Sequence, residues 1–503
     1  LLERLSAFRG SWTLEAAQSV CVREGLSEWQ LLDLIARLVE RSLVEVDSLD
    51  REQQARYRLL ETIQRFAHDR LVRRTDEPEA TEERYVAYYL EQVTPRSDEP
   101  EVNERWLARV DAERANLQQA LSIAIRRGWY ARAFSLAAHL TRYWVTAGLW
   151  REGGDTLRKL LELRESAAIR GEEGTSTIDP RDEIRVLGGA ARLGAILNQQ
   201  DQAFAAADRA VALARELGES SSLARALRDA GAAYWYAVRI DESESLFREA
   251  LALSEDLGDQ AAIAVCLGNV AAIKGARQKY AEALSLYERQ LAINRHLQDR
   301  LGTAKSLFSL GRILERLGRP EEAIQPLLES LDVHRETRDL PGIALCLHNL
   351  GDACASLSRT GEARDHFLEA LQLRLRLGND YGVCSVLLSL IGLAESSGDW
   401  KTAAELLEGI LHVVDALDIP MLPVQRQQIE VHRSEAERHL GSQEKEMILR
   451  GPRRDLPAWQ LGQRSTLLRT FPRGAPLGDR MNETPSLEPT PEKRRPSIGS
   501  PGM

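Results

Sequence analysis

Six small residues recur through the middle of the chain: Ala203, Ser243, Ala283, Ala323, Ala363 and Ala403 stand forty positions apart without a gap. Eight residues after each comes a large aliphatic: Val211, Leu251, Leu291, Leu331, Leu371 and Leu411. Two further columns keep the same step, Ala224, Ala264, Ala304 and Ala344, then Leu227, Leu267, Leu307, Leu347 and Leu387. A chain with small and large residues at fixed phases stacks one unit on copies of itself, because each copy leaves an apolar face that only a neighbour covers. Within a cycle the spacing is helical. In TGEARDHFLEALQLRLRLG, residues Ala363, Phe367, Ala370 and Leu371 form one stripe, and Gly378 supplies a left-handed C-cap. The preceding helix, GIALCLHNLGDACASL, carries Ala344, Leu347, Gly351 and Cys354 on one side, and Gly311 and Gly351 fall where paired helices cross. The fold class is therefore all-α, a solenoid of helix pairs.

The first seventy residues read differently. Ser27 and Gln30 have capping-box spacing ahead of Leu31, Leu34, Ile35 and Leu38, the apolar face of a helix. SLVEVDS then alternates as a strand, with Val44 and Val46 on one face and Glu45 and Asp47 on the other. YRLL returns as a second strand before ETIQRFAHDRL resumes helix. Helices followed by a β-hairpin suggest a winged helix.

Two resemblances follow from these residues. Leu307, Leu310 and Gly311, then Ala323 and Leu327, resemble the tetratricopeptide repeat, and Leu347, Leu350, Gly351, Ala363, Phe367 and Ala370 repeat the match. The resemblance covers about residues 183–417, with six more residues per cycle than the common form. The segments RLSAFRGSWTLEAAQSVC, LLDLIARLVERSLVEVD and YRLLETIQRFAHDRL resemble the winged-helix part of bacterial STAND-type regulators. ERYVAYYLEQV and the stretch with Trp106, Leu107, Glu113, Asn116 and Leu117 resemble the linker into their repeat arm. That resemblance implies a P-loop ATPase domain ahead of Leu1, where the chain opens without Met and in the middle of an apolar pattern (Leu1, Leu2, Leu5, Phe8). The 503 residues contain no Gly-Lys pair, hence no Walker A loop, and no nucleotide-binding residue is assigned.

The expected organisation is a winged-helix-like module over 1–75, a helical linker with degenerate pairs over 76–165, the repeat solenoid over 183–440 and a disordered tail over 441–503. Residues 165–180, polar and aperiodic, read as a loop. The tail holds nine of the eighteen prolines and lacks periodicity.

A net charge of −10 and a pI near 5.6 argue against a chain-wide grip on nucleic acid. The helix EWQLLDLIARLVERS is near-balanced in charge, so direct DNA reading is not expected of it. Five cysteines without a CxxC pair (Cys21, Cys266, Cys346, Cys354, Cys384) read as reduced thiols of a cytoplasmic protein, with Cys266 and Cys346 packing at the core edge. No apolar run is long enough to span a membrane. His432 and His439 share a helix face with no third ligand and read as solvated surface. Catalytic residues, cofactors in this chain and metal sites are all expected to be none.

What remains is binding. If the first helix of each pair lines the concave side, Arg225, Arg228, Trp235, Lys305, Phe308, Arg312, His348 and Asp352 face a protein or peptide partner. The expected function is the sensor half of a STAND-type signalling ATPase or transcriptional regulator, whose repeat arm binds a protein, peptide or small inducer. The alternative is a self-contained tetratricopeptide adaptor.

Overall fold

The computed structural model describes residues 1–22, 27–49, 55–74, 77–95, 104–170, 177–337, 339–377, 380–417 and 423–441. The expected disordered tail and the Gly378 C-cap lie outside them. The chain divides into two compact units, Leu1–Leu317 and Gly318–Met503.

The first unit opens with α1 (Leu2–Leu5), β1 (Trp12–Thr13), α2 (Leu14–Cys21), α3 (Glu28–Glu40), β2 (Val44–Leu49), β3 (Ala55–Leu59) and α4 (Glu61–Val72). The three strands form an antiparallel sheet in the order β1-β3-β2. The capping box holds: Gln30 N–H donates to Ser27 Oγ at 3.3 Å while Ser27 N–H donates to Gln30 Oε1 at 2.9 Å. The hairpin alternates as expected at its start, with Val44 buried, but Val46 is 54% exposed. A register shift between Val46 and Ser48 interrupts the pairing there.

Helices α5 (Glu77–Val93), α6 (Glu104–Ala112), α7 (Arg114–Arg126), α8 (Tyr130–Thr146) and α9 (Trp150–Ile169) follow. The expected loop over 165–180 is corrected at its start: α9 runs on to Ile169, because Ala167 is fully buried and holds the last turn against the core. The remaining helices of the unit are α10 (Pro180–Ile196), α11 (Gln200–Leu217), α12 (Ser220–Tyr236), α13 (Ile240–Asp256), α14 (Gln260–Ala276), α15 (Tyr280–His296) and α16 (Arg300–Arg316). The second unit holds α17 (Pro320–Thr337), α18 (Leu340–Ser356), α19 (Thr360–Arg376), α20 (Asp380–Ser396), α21 (Trp400–Leu417) and α22 (Pro423–His439).

The forty-residue columns are the packing columns. Ala203, Ser243, Ala283, Ala323 and Ala363 are 0% exposed and Ala403 is 1% exposed. Ser243 tolerates burial because its hydroxyl donates to Gly231 O on α12 at 2.9 Å. Gly351 on α18 meets Phe367 on α19 so closely that an added Cβ would lie 2.4 Å from a ring carbon. Gly231 meets Phe247 the same way at 3.0 Å. Gly351→Ala gains helix propensity yet must displace a buried ring, so it is expected to cost about 1–3 kcal/mol. Gly231→Ala should cost less. Urea denaturation of the two variants checks the order; an unchanged Gly351→Ala would show that the crossing is loose.

Two repeating devices end and start the helices. Each first helix closes on a residue with positive φ, forty apart: Asn198, Val238, Gln278, Gly318, Ser358 and Gly398. Val238 is β-branched, sits at φ 62° and is 76% exposed, so it carries left-handed strain and returns no packing. Val238→Gly is expected to stabilise the first unit by about 1 kcal/mol. A melt that moves down instead of up would show that the side chain has a use there. The next first helix then starts on an aspartate: Asp259, Asp299 and Asp339 accept from Ala262, Gly302 and Gly342 N–H at 2.9–3.1 Å.

Candidate partner-binding surface

The first helices α12, α14 and α16 bury their small and aliphatic columns and leave one strip open. On α12, Arg225 and Arg228 lie on it half-buried, while Trp235, also half-buried, packs against the buried cluster of Ala232, Phe247, Val270 and Ile273. On α16, Lys305 and Arg312 are exposed and Phe308 half-buried. The forty-residue step explains the alignment: Arg225 and Lys305 are two cycles apart, as are Arg228 and Phe308. Between them α14 offers Val265, 42% exposed, and Ala272. All six of these sequence-derived residues belong to the first unit.

His348 and Asp352 belong to the second unit, and His348 is turned inward. It is 9% exposed, and Arg374 on α19 donates to its Nδ1 at 3.2 Å. An arginine can only donate, so the imidazole carries its proton on Nε2, which lies 3.0 Å from Ser389 Oγ on α20. Ser389 donates in turn to Asp352 Oδ1 at 3.1 Å. Arg374 also donates to Gly382 O at 2.6 Å. Burial, with Arg374 beside it, pushes the imidazole down to about 3. The four side chains tie α18, α19 and α20 together, and His348 has both ring nitrogens engaged within the chain.

His432 is corrected from solvated surface to a docking contact, while His439 is exposed as expected and also stacks on a neighbour. His432 Nδ1 lies 2.9 Å from Glu395 Oε2, and His439 stacks on Trp400 with centroids 3.9 Å apart and planes 9° from parallel. Their spacing pins α22 to α20 and α21. Cys266 and Cys346 are buried, as expected. Their thiols are pushed up to about 11 by burial, which leaves almost no nucleophilic thiolate.

One polar centre went unread in the sequence although its residues stood in the linker motif. Asn116 on α7 is 1% exposed and uses its whole amide. Its Oδ1 accepts from Arg9 N–H at 3.0 Å, Gly10 N–H at 3.1 Å and the Tyr85 hydroxyl at 3.0 Å. Its Nδ2 donates to Ser11 O at 2.9 Å and Glu113 Oε2 at 2.8 Å. Arg56 of β3 pairs with Glu113 Oε1 at 2.7 Å and donates to Ser11 Oγ at 2.8 Å. Around it Phe8, Trp12, Tyr57, Tyr85 and Tyr89 pack with centroids 4.7–6.4 Å apart. The winged module is thus fixed to α5 and α7 by a buried aromatic core around the satisfied amide of Asn116. The outward face of α3 carries Trp29, 82% exposed, and a 2.8 Å pair of Arg37 with Asp33 that cancels charge.

This geometry has relatives. Residues 1–72 match the winged helix-turn-helix domain, residues 259–336 the tetratricopeptide repeat, and residues 186–230 a model of anaphase-promoting complex subunit 5. The chain therefore joins a winged helix-turn-helix domain to a tetratricopeptide solenoid. It is 30% identical over 251 residues, 47% of its length, to proteins described as HTH-type transcriptional regulators in Mycobacterium bovis and Mycobacterium tuberculosis. The match covers 26% of those proteins, so the chain spans about a quarter of the length of these relatives. Among solved structures it is similar to a Signal Transduction ATPase with Numerous Domains (STAND) protein with a tetratricopeptide repeat sensor from Pyrococcus horikoshii, at 14% identity and a TM-score of 0.44, covering 86% of this chain and 64% of that one. The quorum sensor NprR from B. thuringiensis in its apo form is similar at 14% identity and a TM-score of 0.40, covering 70% and 97%.

Proposed function

We propose that this chain is the sensing part of a multidomain transcriptional or signalling regulator. The repeat arm recognises a protein, peptide or small inducer through the open strip of its first helices. The winged module carries the arm's state to an ATPase domain of the full-length protein, which works in the cytoplasm. The observation that carries this reading is the succession of winged helix-turn-helix domain, buried linker contacts and tetratricopeptide array in a chain similar to transcriptional regulators. Direct DNA reading by this chain is not part of the proposal, because the open face of α3 carries Glu28, Asp33 and Glu40 against Arg37 alone and exposes Trp29. Domain roles follow the same lines: module 1–75 relays, linker 76–165 couples, array 183–440 senses.

The test is the full-length gene and its product. An in-frame P-loop domain ahead of Leu1 is expected, with nucleotide hydrolysis that changes when the array's strip is altered by Lys305→Glu and Arg312→Glu. A start codon immediately upstream would overturn the reading. So would a partner captured equally well with and without an ATPase half, which is the behaviour of a self-contained adaptor.

A further inference from the structure

The winged module carries two exposed patches of opposite character, both within the first unit. On α3, Trp29, Asp33, Arg37 and Glu40 share the outward face, with Glu28 beside Trp29. The indole is 82% exposed. The one guanidinium of this face is held by Asp33 at 2.8 Å, and Glu28 and Glu40 have no ion-pair partner among the described residues. The face therefore keeps an excess of negative charge. The second patch lies where α4 runs beside α1. Phe66 and Arg70 of α4 and Arg73 at its C-cap, spaced i, i+4 and i+7, line an open cleft of about 340 Å³ together with Arg74 and Glu3. Glu3 takes Arg74 at 2.7 Å and Arg70 at 3.5 Å, while Arg73 is exposed and meets no carboxylate among the described residues. The cleft therefore keeps an excess of positive charge. Its apolar wall is the Phe66 ring, 57% exposed, with the Arg70 guanidinium 5.6 Å from the ring centre.

We propose that these two patches are the two sides of one interface between copies of this chain. Trp29 of one copy enters the α1–α4 cleft of the next, with the carboxylates around it set against Arg70, Arg73 and Arg74. Complementarity selects the occupant. Each patch offers an exposed aromatic ring and the charge that the other lacks, and every copy carries both. Within one chain the contact is not made, since Trp29 and Phe66 both stand open to solvent. The cleft volume lies at the low end of the roughly 300–1,000 Å³ of ring-holding pockets, enough for one indole. An indole laid on Phe66 extends the stack that Arg70 begins. Because the two faces differ, the contact is heterologous. DNA suits only half of the pair: its phosphates match the arginines of the cleft and are repelled by the α3 face.

Sedimentation velocity of the full chain at low salt, over roughly 1–100 μM, covers the range of a small contact. Association that grows with concentration and weakens as salt rises is expected. Trp29→Ala, and separately Phe66→Ala with Arg73→Glu, should each weaken it at least about tenfold. All three positions are exposed, so the fold tolerates the changes. Arg289→Glu, an exposed reversal on α15, should leave association unchanged. The two defective variants are then mixed. One keeps the cleft and the other keeps the tryptophan, so the mixture should regain an association that neither shows alone. A parent chain that stays monomeric, association indifferent to Trp29→Ala, or a mixture that stays apart would each overturn the inference. So would a short DNA duplex that dissociates the parent and loses its own binding in Phe66→Ala with Arg73→Glu, since the cleft would then belong to phosphate. None of these outcomes bears on what the repeat array senses.

Discussion

Asn116→Ala is expected to lower the stability of the first unit by about 3–5 kcal/mol, well beyond an ordinary surface change. The substitution removes few contacts of its own and leaves many groups without partners. Arg9 and Gly10 N–H lose their acceptor, Ser11 O loses its donor, and the Tyr85 hydroxyl and Glu113 Oε2 each lose a bond. Water cannot repair this, because Tyr85 and Asn116 are 0% and 1% exposed and the aromatic cluster surrounds them. Burial and the Glu113 carboxylate already push the Tyr85 hydroxyl up, so it can serve only as a neutral donor. Asn116→Asp should be as harmful, since it sets a second carboxylate against Glu113 and gives Ser11 O no donor. Glu113→Ala would strand Arg56, 6% exposed, at a similar cost of about 3–5 kcal/mol. Urea denaturation followed by near-ultraviolet circular dichroism of Trp12 and Trp106 checks all three. A midpoint within error of the parent would mean that the winged module is not fastened through this amide.

The second large effect is a pH dependence in the second unit. His348 is held near 3 in the folded chain and returns to about 6.5 when unfolded. Between those values the unfolded chain binds a proton that the folded chain refuses, so stability rises with pH across that window. The full contribution is present above about pH 6.5 and is lost progressively as pH falls towards 3, on the order of 5 kcal/mol in all. His348→Gln keeps an acceptor for Arg374 and cannot titrate, so its stability should be lower at neutral pH and flatter through the acid range. Denaturation midpoints of the second unit at pH 7, 5.5 and 4.5 provide the measurement. Parallel curves for parent and variant would remove His348 as the source.

Much of the array was legible in the linear chain, and for a physical reason. Repeats impose the same burial on the same phase six times over, so Ala203, Ala283 and Ala363 report one environment repeatedly and chance agreement is suppressed. Local chemistry was also legible where it acts over three or four residues, as in the Ser27–Gln30 box. The aspartates at 259, 299 and 339 could have been found by the same forty-residue comparison, because their spacing is as regular as that of the alanines. Helical spacing set Arg225, Arg228, Lys305 and Arg312 off the buried columns of α12 and α16, and that is as far as spacing reaches.

Composition and period together dictate that this chain must stack paired helices, because no single pair can bury its own apolar face. Tertiary structure alone decided which polar residues face inward. Asn116 meets Gly10 across 106 positions and His348 meets Ser389 across 41. Whether an amide or imidazole is surface or core depends on partners that distant segments supply, and helical spacing reports a side chain's direction without reporting what waits there.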